Sequence, residues 1–435
     1  MTPEYRRLRV ALLGAGAVGS QVASLLLQHS DELADRAGAY LELAGIAVRD
    51  PHAPRDVELP QELFTTDAST LITGADIVIE LMGGIEPART YILEAIASGA
   101  DVVTANKALL ATHGPELFDA ADQVGASIHY EAAAAGAIPI IRPLRDSLAG
   151  DRVVRIMGIV NGTTNYILDR MDTEGAEFAD VLADAQRLGY AEADPTADVE
   201  SYDAAQKAAI LASLAFHTAV PLEAVHREGI TGITKEMIDQ ARSAGQVIKL
   251  LAVCERLDAA GTESISVRVY PALLSRSHPL ASVHGANNAI FVEAEAAGSL
   301  MFYGAGAGGI QTASAVLGDV VSAARRHIAG GTGVGESTRA NLPTVAIGSI
   351  TTSYQITLEV SDQPGILAAV AGILSEGDVS AATIVQTLEG TSDGTARLVI
   401  GTHRASDQAL SDTVARLAAS DAVERVAAVL RVEGE

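Results

Sequence analysis

An acidic segment that ends in a lysine holds the residues best suited to chemistry. Asp203 and Lys207 stand four positions apart, so on a helix they share one face. The helix predicted over 204–214 is almost wholly apolar and therefore buried, and burial lowers the pKa of a lysine while nearby carboxylates raise it. Such a lysine suits proton transfer to a carbonyl oxygen during hydride transfer, and Glu192, Asp198 and Asp203 suit a substrate ammonium group. The alternative is a surface salt bridge worth about 0.3–0.5 kcal/mol.

A glycine-rich loop near the N-terminus offers a place to bind a hydride carrier. The loop Gly14-Ala15-Gly16-Ala17-Val18-Gly19 follows an apolar strand and opens a helix, which is the context that the dinucleotide motif requires. Its three glycines permit a tight turn, close approach of phosphate and close packing of helix on strand. The helix N-terminus then presents free N–H groups to the pyrophosphate. An ordinary glycine-rich turn is the alternative.

Two basic residues bear on which ligands are bound. The second predicted strand ends Val48-Arg49-Asp50, where an arginine accommodates the 2′-phosphate of NADP and an acidic residue accepts from the ribose of NAD. Arg49 favours NADP, Asp50 leaves NAD open, and an ordinary surface arginine is a third interpretation. Lys107 follows another parallel strand, at the edge where ligands bind. It could meet the cofactor or a substrate carboxylate, or it could be a solvated lysine.

A polar cluster separates a predicted strand from a helix in the middle of the chain. Residues 158–168 read Gly-Ile-Val-Asn-Gly-Thr-Thr-Asn-Tyr-Ile-Leu. Thr163 or Thr164 could simply cap the helix. The functional interpretation, which the acidic segment favours, is a polar floor under a bound amino acid.

The glycine loop requires a sheet domain to position it. Strands predicted over 9–13, 41–48, 75–81 and 101–104 alternate with helices. Such alternation indicates a parallel sheet, so residues 1–150 are predicted to form a Rossmann-type dinucleotide-binding domain of the α/β class.

The rest of the chain is predicted to form two further domains. Residues 151–330 mix strands with alanine-rich helices, which indicates an α+β substrate and dimerisation domain with an open mixed sheet. Its last helix, over 312–329, could pack back on the first domain. Residues 331–349 have the composition of a linker. Residues 350–435 read β-α-β-β-α-β, which is the ferredoxin-like order.

The composition excludes several classes of partner. The chain has 30 basic and 55 acidic residues, a net charge of −25, and such a surface repels nucleic acid. No apolar run approaches the ~20 residues of a membrane helix, and we expect neither a membrane partner nor a signal peptide. Cys254 is the only cysteine, which excludes an internal disulfide and fits a cytoplasmic location.

Across nearly its full length the chain resembles homoserine dehydrogenase, in the long form with a C-terminal ACT domain. The matching stretches are the glycine loop, Glu80-Leu81-Met82-Gly83-Gly84, Thr104-Ala105-Asn106-Lys107, Asn161-Gly162-Thr163-Thr164-Asn165-Tyr166, residues 198–207 and residues 302–308. The resemblance implies the reversible NAD(P)H-dependent reduction of L-aspartate 4-semialdehyde to L-homoserine in threonine and methionine biosynthesis.

The resemblance also implies roles for single residues. Lys207 would be the proton donor, Asp203 its partner and a substrate ligand, and Lys107 would lie between cofactor and substrate. The other implied substrate contacts are Glu192, Asp198, Gly162, Thr163 and Tyr190. The implied cofactor contacts outside the glycine loop are Arg49, Met82, Gly83, Thr104, Lys107, Gly189 and Gly304.

An ion, an effector and an oligomer are implied as well. A sodium or potassium ion would be held by the carboxylate or backbone of Glu131 and by the carbonyls of Ala134, Gly136 and Ile138. Residues 362–368 resemble the ACT motif, in which an aspartate and a glycine lie beside an amino-acid ligand, and L-threonine is the implied effector. An ACT domain that only dimerises is the alternative. The resemblance further implies a homodimer or tetramer.

Two departures from the family pattern affect local geometry. Residues 131–136 read Glu-Ala-Ala-Ala-Ala-Gly, where the family usually has a valine and more glycine. Ser201 stands where the family usually has glycine, and a serine is strained there if the position requires a positive φ.

Two rival functions remain. A non-catalytic dinucleotide-binding sensor of amino acids has no need of a buried lysine among three carboxylates. Another dehydrogenase or reductase of amino-acid aldehydes is disfavoured by the sequence around Lys207.

Overall fold

The computed structural model describes residues 5–259, 261–331, 338–387 and 395–434. Residues 332–337 of the predicted linker lie outside the described residues. The chain divides into two compact units. Unit 1 comprises Met1–Ile156, Asp203–Glu223 and Asn287–Leu342, and unit 2 comprises Met157–Tyr202, Ala224–Ala286 and Pro343–Glu435. Each unit is therefore assembled from separate stretches of the chain.

The described residues form seventeen strands and fourteen α-helices. The strands are β1 (Arg6–Leu13), β2 (Ala39–Ala47), β3 (Phe64–Thr65), β4 (Ile77–Glu80), β5 (Asp101–Thr104), β6 (Ile128–His129), β7 (Val153–Ile159), β8 (His226–Arg227), β9 (Gln246–Ala259), β10 (Thr262–Ser275), β11 (Asn287–Ala294), β12 (Gly298–Ala305), β13 (Thr351–Ser361), β14 (Ala381–Thr387), β15 (Thr395–Thr402), β16 (Ala405–Ser406) and β17 (Arg425–Glu433). The helices are α1 (Ala17–Gln28), α2 (Ser30–Ala37), α3 (Ala68–Thr73), α4 (Ala88–Ala97), α5 (Lys107–Val124), α6 (Glu131–Ala135), α7 (Gly162–Glu174), α8 (Phe178–Arg187), α9 (Thr196–Val199), α10 (Tyr202–Phe216), α11 (Lys235–Ser243), α12 (Gly309–Ala329), α13 (Ile366–Glu376) and α14 (Asp407–Ala418).

Unit 1 is built on a six-stranded parallel sheet with the order β3-β2-β1-β4-β5-β6. The strand order reverses between β1 and β4, and ligands of open α/β sheets bind in the crevice outside the carboxyl ends of strands at such a switch point. The four long strands match the predicted ones, and the Rossmann-type sheet is thereby confirmed. The two-residue strands β3 and β6 were not predicted.

Helix α12 completes the core of unit 1. Its buried residues Val316 and Val320 belong to the same apolar cluster as Val10 and Leu12 of β1. At its start the backbone comes so close to the glycine loop that a Cβ on Gly309 would lie 2.8 Å from the carbonyl oxygen of Ala17. Helix α12, although it comes late in the chain, therefore begins in contact with the glycine loop near the N-terminus.

Unit 2 contains a long antiparallel hairpin, and the C-terminal strands extend the same sheet beyond it. Strands β9 and β10 pair over fourteen residues each, and β10 then pairs in parallel with β17, Ala272 opposite Arg431. From β17 the sheet continues in the order β13-β15-β14, through antiparallel pairs. The C-terminal elements have the predicted β-α-β-β-α-β order, but their sheet is joined to β10 edge to edge. Among the described residues, no helix is long and apolar enough to cross a membrane.

Candidate functional site

The glycine loop of unit 1 has the geometry that its three glycines predict. Gly14 has φ 97°, and a Cβ there would lie 2.7 Å from the carbonyl oxygen of Leu81. A Cβ on Gly19 would lie 2.1 Å from the carbonyl oxygen of Gly14. Gly16 faces open space and precedes the first residue of α1, so its backbone is accessible to a phosphate.

A buried carboxylate organises the two strand ends beside this loop. Oε1 of Glu80 accepts hydrogen bonds from the backbone N–H groups of Met82 (2.7 Å) and Gly83 (3.2 Å), and its Oε2 accepts from Thr104 Oγ1 (2.7 Å). Thr104 Oγ1 in turn accepts from the N–H of Asn106, whose side chain caps α5. Glu80 is fully buried, so this network fixes three of the predicted cofactor contacts relative to one another. Sequence reasoning missed its role, although a carboxylate inside an apolar strand was the available signal.

The residues after β2 bear on the cofactor preference. Arg49 and Asp50 are exposed at the carboxyl end of this strand. Oδ1 of Asp50 accepts a hydrogen bond from the N–H of His52 (2.8 Å), and its carbonyl accepts from Arg55 (2.9 Å). One carboxylate oxygen of Asp50 is therefore engaged within its own turn.

Three charged side chains of unit 1 meet at the starts of α5 and α10. Asp203 Oδ1 lies 2.8 Å from Nζ of Lys107, and its Oδ2 lies 2.7 Å from Nζ of Lys207. The side chains of Asp203 and Lys207 are both 11% exposed, whereas that of Lys107 is 41% exposed. Burial raises the pKa of Asp203, but the charges of Lys207 and Lys107 outweigh it and hold that pKa well below its ordinary value. The helix around Lys207 is buried as predicted, so the surface salt-bridge alternative is wrong.

The loop expected to hold an ion also lies in unit 1, at α6. Both carboxylate oxygens of Glu131 are occupied: Oε1 accepts from the N–H groups of Ile140 (2.5 Å) and Ile141 (2.7 Å), and Oε2 accepts from the N–H (3.0 Å) and Nε (2.8 Å) of Arg142. Glu131 thus anchors the chain at 140–142, and the loop has only backbone oxygens left to offer a cation. Ala134 and Ile138 are buried beside Gly136, whose φ is 60°.

The loop is backed by the hairpin of β11 and β12. The N–H of Ala137 donates to the carbonyl of Ala305 (3.1 Å), and a Cβ on Gly304 would lie 3.4 Å from Ile138. A Cβ on Gly136 would lie 2.3 Å from the carbonyl oxygen of Gly306. Gly304 is therefore a neighbour of the predicted ion loop.

In unit 2 the polar residues at the start of α7 meet the acidic segment. Asn161 caps this helix, since its Oδ1 accepts from the N–H of Thr164 (2.9 Å), so neither threonine is the cap. The same side chain donates through Nδ2 to Asp198 Oδ1 (2.7 Å), and Thr163 Oγ1 donates to the carbonyl of Tyr190 (2.7 Å). Sequence reasoning did not assign this connecting role to Asn161.

The other predicted site residues of unit 2 lie close in sequence to the residues that make these contacts. Gly162 is the first residue of α7, and Gly189 has φ 79° just before the half-exposed Tyr190. The side chain of Glu192 is exposed, and its backbone carbonyl accepts from Gln186 (3.1 Å). Asp198 is thus connected with the start of α7, whereas no such contact of the Glu192 carboxylate is found among the residues that the structure describes.

Ser201 occupies a left-handed conformation, as its place in the family pattern suggested. Its φ is 65°, and the residue is fully buried. A non-glycine residue in this region is strained by ~1–3 kcal/mol. Its hydroxyl donates to the carbonyl of Glu228 (2.8 Å), a bond that glycine could not make and that offsets part of the strain.

Comparison with known proteins places these features in a family. Residues 14–131 match the family model described as the NAD binding domain of homoserine dehydrogenase, and residues 139–321 match the one described as homoserine dehydrogenase. The chain is 54% identical to homoserine dehydrogenase of Corynebacterium glutamicum over 427 residues, 98% of this chain and 95% of the relative.

Solved structures agree with this assignment. A homoserine dehydrogenase from Thiobacillus denitrificans is 36% identical, with a TM-score of 0.90 over 99% of both chains. A hyperthermophilic archaeal homoserine dehydrogenase in complex with NADPH is 26% identical, with a TM-score of 0.61 over 75% of this chain and 99% of that one. This chain therefore belongs to the homoserine dehydrogenase family and is an NAD(P)-dependent oxidoreductase acting on a CH–OH group.

Proposed function

We propose that the chain interconverts L-aspartate 4-semialdehyde and L-homoserine, with Lys207 as the proton donor to the aldehyde oxygen. The observation that supports this role most directly is the Lys107–Asp203–Lys207 cluster. A nicotinamide cofactor, when bound, would supply the hydride for the aldehyde carbon. In the reduction, Lys207 then gives its proton to the oxygen that gains negative charge, and in the reverse direction it takes the proton of the alcohol.

Asp203 and Lys107 prepare Lys207 for this step. Ionised Asp203 lies between the two ammonium groups and orients both. The greater exposure of Lys107 supports its proposed position between cofactor and substrate. Glu192 and Asp198 are proposed to bind the substrate ammonium group, with Gly162, Thr163 and Tyr190 completing the contacts.

Substitution of Lys207 tests this mechanism. Lys207→Ala should lower kcat by on the order of 10² or more, because it removes one general acid. Lys235→Ala, which removes a lysine of unit 2 outside the proposed site, is the matched control and should keep its kcat. Circular dichroism checks that both variants fold. Turnover of Lys207→Ala close to that of the unmodified enzyme would exclude Lys207 as the proton donor.

The proposed cofactor is NADP, bound by the glycine loop, Arg49, Met82, Gly83, Thr104, Lys107, Gly189 and Gly304. Support comes from the exposed Arg49 at the end of β2 and from Asp50, which has one oxygen engaged by His52. The 2′-phosphate would pair with the Arg49 guanidinium.

A sodium or potassium ion is proposed at the α6 loop, held by the backbone carbonyls of Glu131, Ala134, Gly136 and Ile138. Oxygen ligands of this kind suit a hard cation, whose part would be to fix the loop. Among the described residues, the buried side-chain amide of Asn288 has no hydrogen-bond partner, and it lies against Gly306, the neighbour of Gly136. Such an unsatisfied group next to the loop is one that a bound ion or ordered water would satisfy.

L-Threonine is proposed as an effector that binds the C-terminal elements as an ACT domain. A cavity of about 370 Å³ is lined by residues 360–367, Gln386 and Leu398. Gln386 donates to Asp362 (3.3 Å), and Gly365 has φ 98° at the start of α13. The cavity thus contains the aspartate and glycine of the motif. A place in threonine and methionine biosynthesis, a homodimer or tetramer and a cytoplasmic location complete the proposal.

A further inference from the structure

The turn that follows Asp198 is held by a neighbouring segment of unit 2, residues 226–231, which we call the cradle. The N–H of Ile230 donates to the carbonyl of Val199 (2.8 Å). Gly229 approaches so closely that a Cβ there would lie 2.5 Å from the same carbonyl oxygen. The backbone of the cradle therefore fixes the turn at its first residue.

Side chains of the cradle fix the next residues of the turn. Arg227 Nη1 donates to the carbonyl of Glu200 (2.9 Å), and its guanidinium lies 3.4 Å from the ring centroid of Tyr202. Thr231 Oγ1 donates to Glu200 Oε1 (2.9 Å). With the bond from Ser201 Oγ to the cradle, every residue from 199 to 202 is held by this one segment.

The cradle is itself anchored to the last strand of the chain. Glu228 Oε1 lies 2.7 Å from Nη1 of Arg431, which is on β17, and 2.8 Å from Nε2 of His226. Glu228 also donates its N–H to the carbonyl of Val269 on β10 (2.8 Å). Arg431 is fixed in turn by Asp407, which lies 2.8 Å from its Nε.

We propose that Arg431 is a positioning residue for substrate binding, acting through Glu228 and Ser201 on the turn between Asp198 and Asp203. The ion pair fixes Glu228, and the carbonyl of Glu228 holds the Ser201 hydroxyl in the middle of the turn. The inference rests on the proposed substrate contacts of Asp198 and Asp203. It gives the C-terminal elements a structural connection to the substrate residues that does not depend on any effector.

Steady-state kinetics of the full-length enzyme test the proposal. Arg431→Met removes the charge and keeps much of the side-chain volume. We expect KM for L-homoserine to rise about three- to tenfold, with KM for NADP⁺ and kcat within about twofold, because a displaced turn weakens ground-state binding. Arg431→Lys, which keeps a cation beside Glu228, should recover most of the affinity.

A matched control separates positioning from general loosening of the sheet. Arg425 lies on the same strand and pairs with Glu359, away from the cradle, so Arg425→Met should leave KM for L-homoserine unchanged. Ser201→Ala removes the hydroxyl of the same path and should also raise KM for L-homoserine. Because both residues act on the same turn, the double variant Ser201→Ala/Arg431→Met should have about the same KM for L-homoserine as the single variant with the larger effect.

Each outcome discriminates. If Arg431→Met alters only the melting temperature, or raises KM no more than Arg425→Met does, the positioning role is overturned. Fully additive effects of the Ser201 and Arg431 substitutions would also overturn it. Asp198→Ala is measured in parallel. If that variant keeps its KM for L-homoserine, the proposed substrate contact has failed, whereas a raised KM for it beside an unaffected Arg431→Met rejects only the positioning role.

Discussion

At the scale of single residues, Asp203 forms ion pairs with two lysines. Sequence spacing predicted only one of these two pairs. The i,i+4 spacing predicted that Asp203 and Lys207 would meet, and they do. That Lys107 would reach the other oxygen of Asp203 was not predictable from spacing, because the two residues are ninety-six positions apart in the chain. The depressed pKa of Asp203 depends on both lysines.

Two glutamates show that the type of a residue does not by itself predict its role in the structure. Glu131 has the type expected of an ion ligand, but the N–H groups of residues 140–142 occupy both of its oxygens. Glu80 was passed over as part of an apolar strand, although it connects the ends of β4 and β5. In both cases the role follows from hydrogen-bond partners that lie outside the helix or strand of the glutamate itself.

The cofactor preference can be tested at one side chain. Arg49→Ala should raise KM for NADP⁺ by about tenfold or more and leave KM for NAD⁺ nearly unchanged, because only the 2′-phosphate would lose a charged partner. The ratio of kcat/KM for the two cofactors measures this difference. Equal losses with both cofactors would remove Arg49 from the proposed phosphate site.

At the scale of elements, local patterns predicted the long strands of the parallel sheet and the C-terminal β-α-β-β-α-β order, but they missed several other strands, among them β9 and β12. Strands β1, β2, β4 and β5 were predicted because a strand buried on both faces is continuously apolar. Strand β9 was missed, although it forms half of the long hairpin and residues 247–254 are apolar apart from Lys249. The parallel pairing of β10 with β17 joins residues that are about 160 positions apart. The hydrophobic periodicity of a short stretch of sequence cannot predict such a pairing.

The junction of β10 and β17 contains a buried charge cluster whose disruption is measurable. Glu433 Oε1 accepts from Tyr270 Oη (2.5 Å) and lies 3.4 Å from Nη2 of Arg268, which is buried. Glu433→Ala should lower the free energy of unfolding by about 1–3 kcal/mol, because it leaves the buried Tyr270 hydroxyl without its acceptor, while Glu255 still pairs with Arg268. Thermal or denaturant unfolding measures the loss.

A surface glutamate of the same C-terminal region provides the control for this prediction. Glu376 pairs with Arg416 at the surface, so Glu376→Ala should change stability by less than about 1 kcal/mol. Equal small effects of the two substitutions would show that the buried charge cluster at the β10–β17 junction contributes little to stability.

At the scale of the whole molecule, the two family models match residues 14–131 and 139–321, and the C-terminal stretch lies beyond them. Its regulatory role is therefore a question for measurement. Asp362→Ala should raise the concentration of L-threonine needed for half inhibition by about tenfold, because the cavity loses the carboxylate that would hold the effector ammonium group.

An unmodified enzyme that ignores L-threonine would contradict the effector proposal directly. Inhibition that survives Asp362→Ala unchanged would move the effector away from this cavity. Assays with L-homoserine as substrate and a fixed cofactor concentration distinguish these results.

The place of α12 in unit 1 has a consequence for synthesis on the ribosome. The six strands of the sheet are complete at His129, but the residues Val316 and Val320 that help to bury its apolar face emerge about 190 residues later. At ~5–20 residues per second, that interval is roughly 10–40 s. We expect the apolar face of the nascent N-terminal sheet to stay exposed to solvent during that time. It becomes buried only when α12 has been synthesised and packs against it.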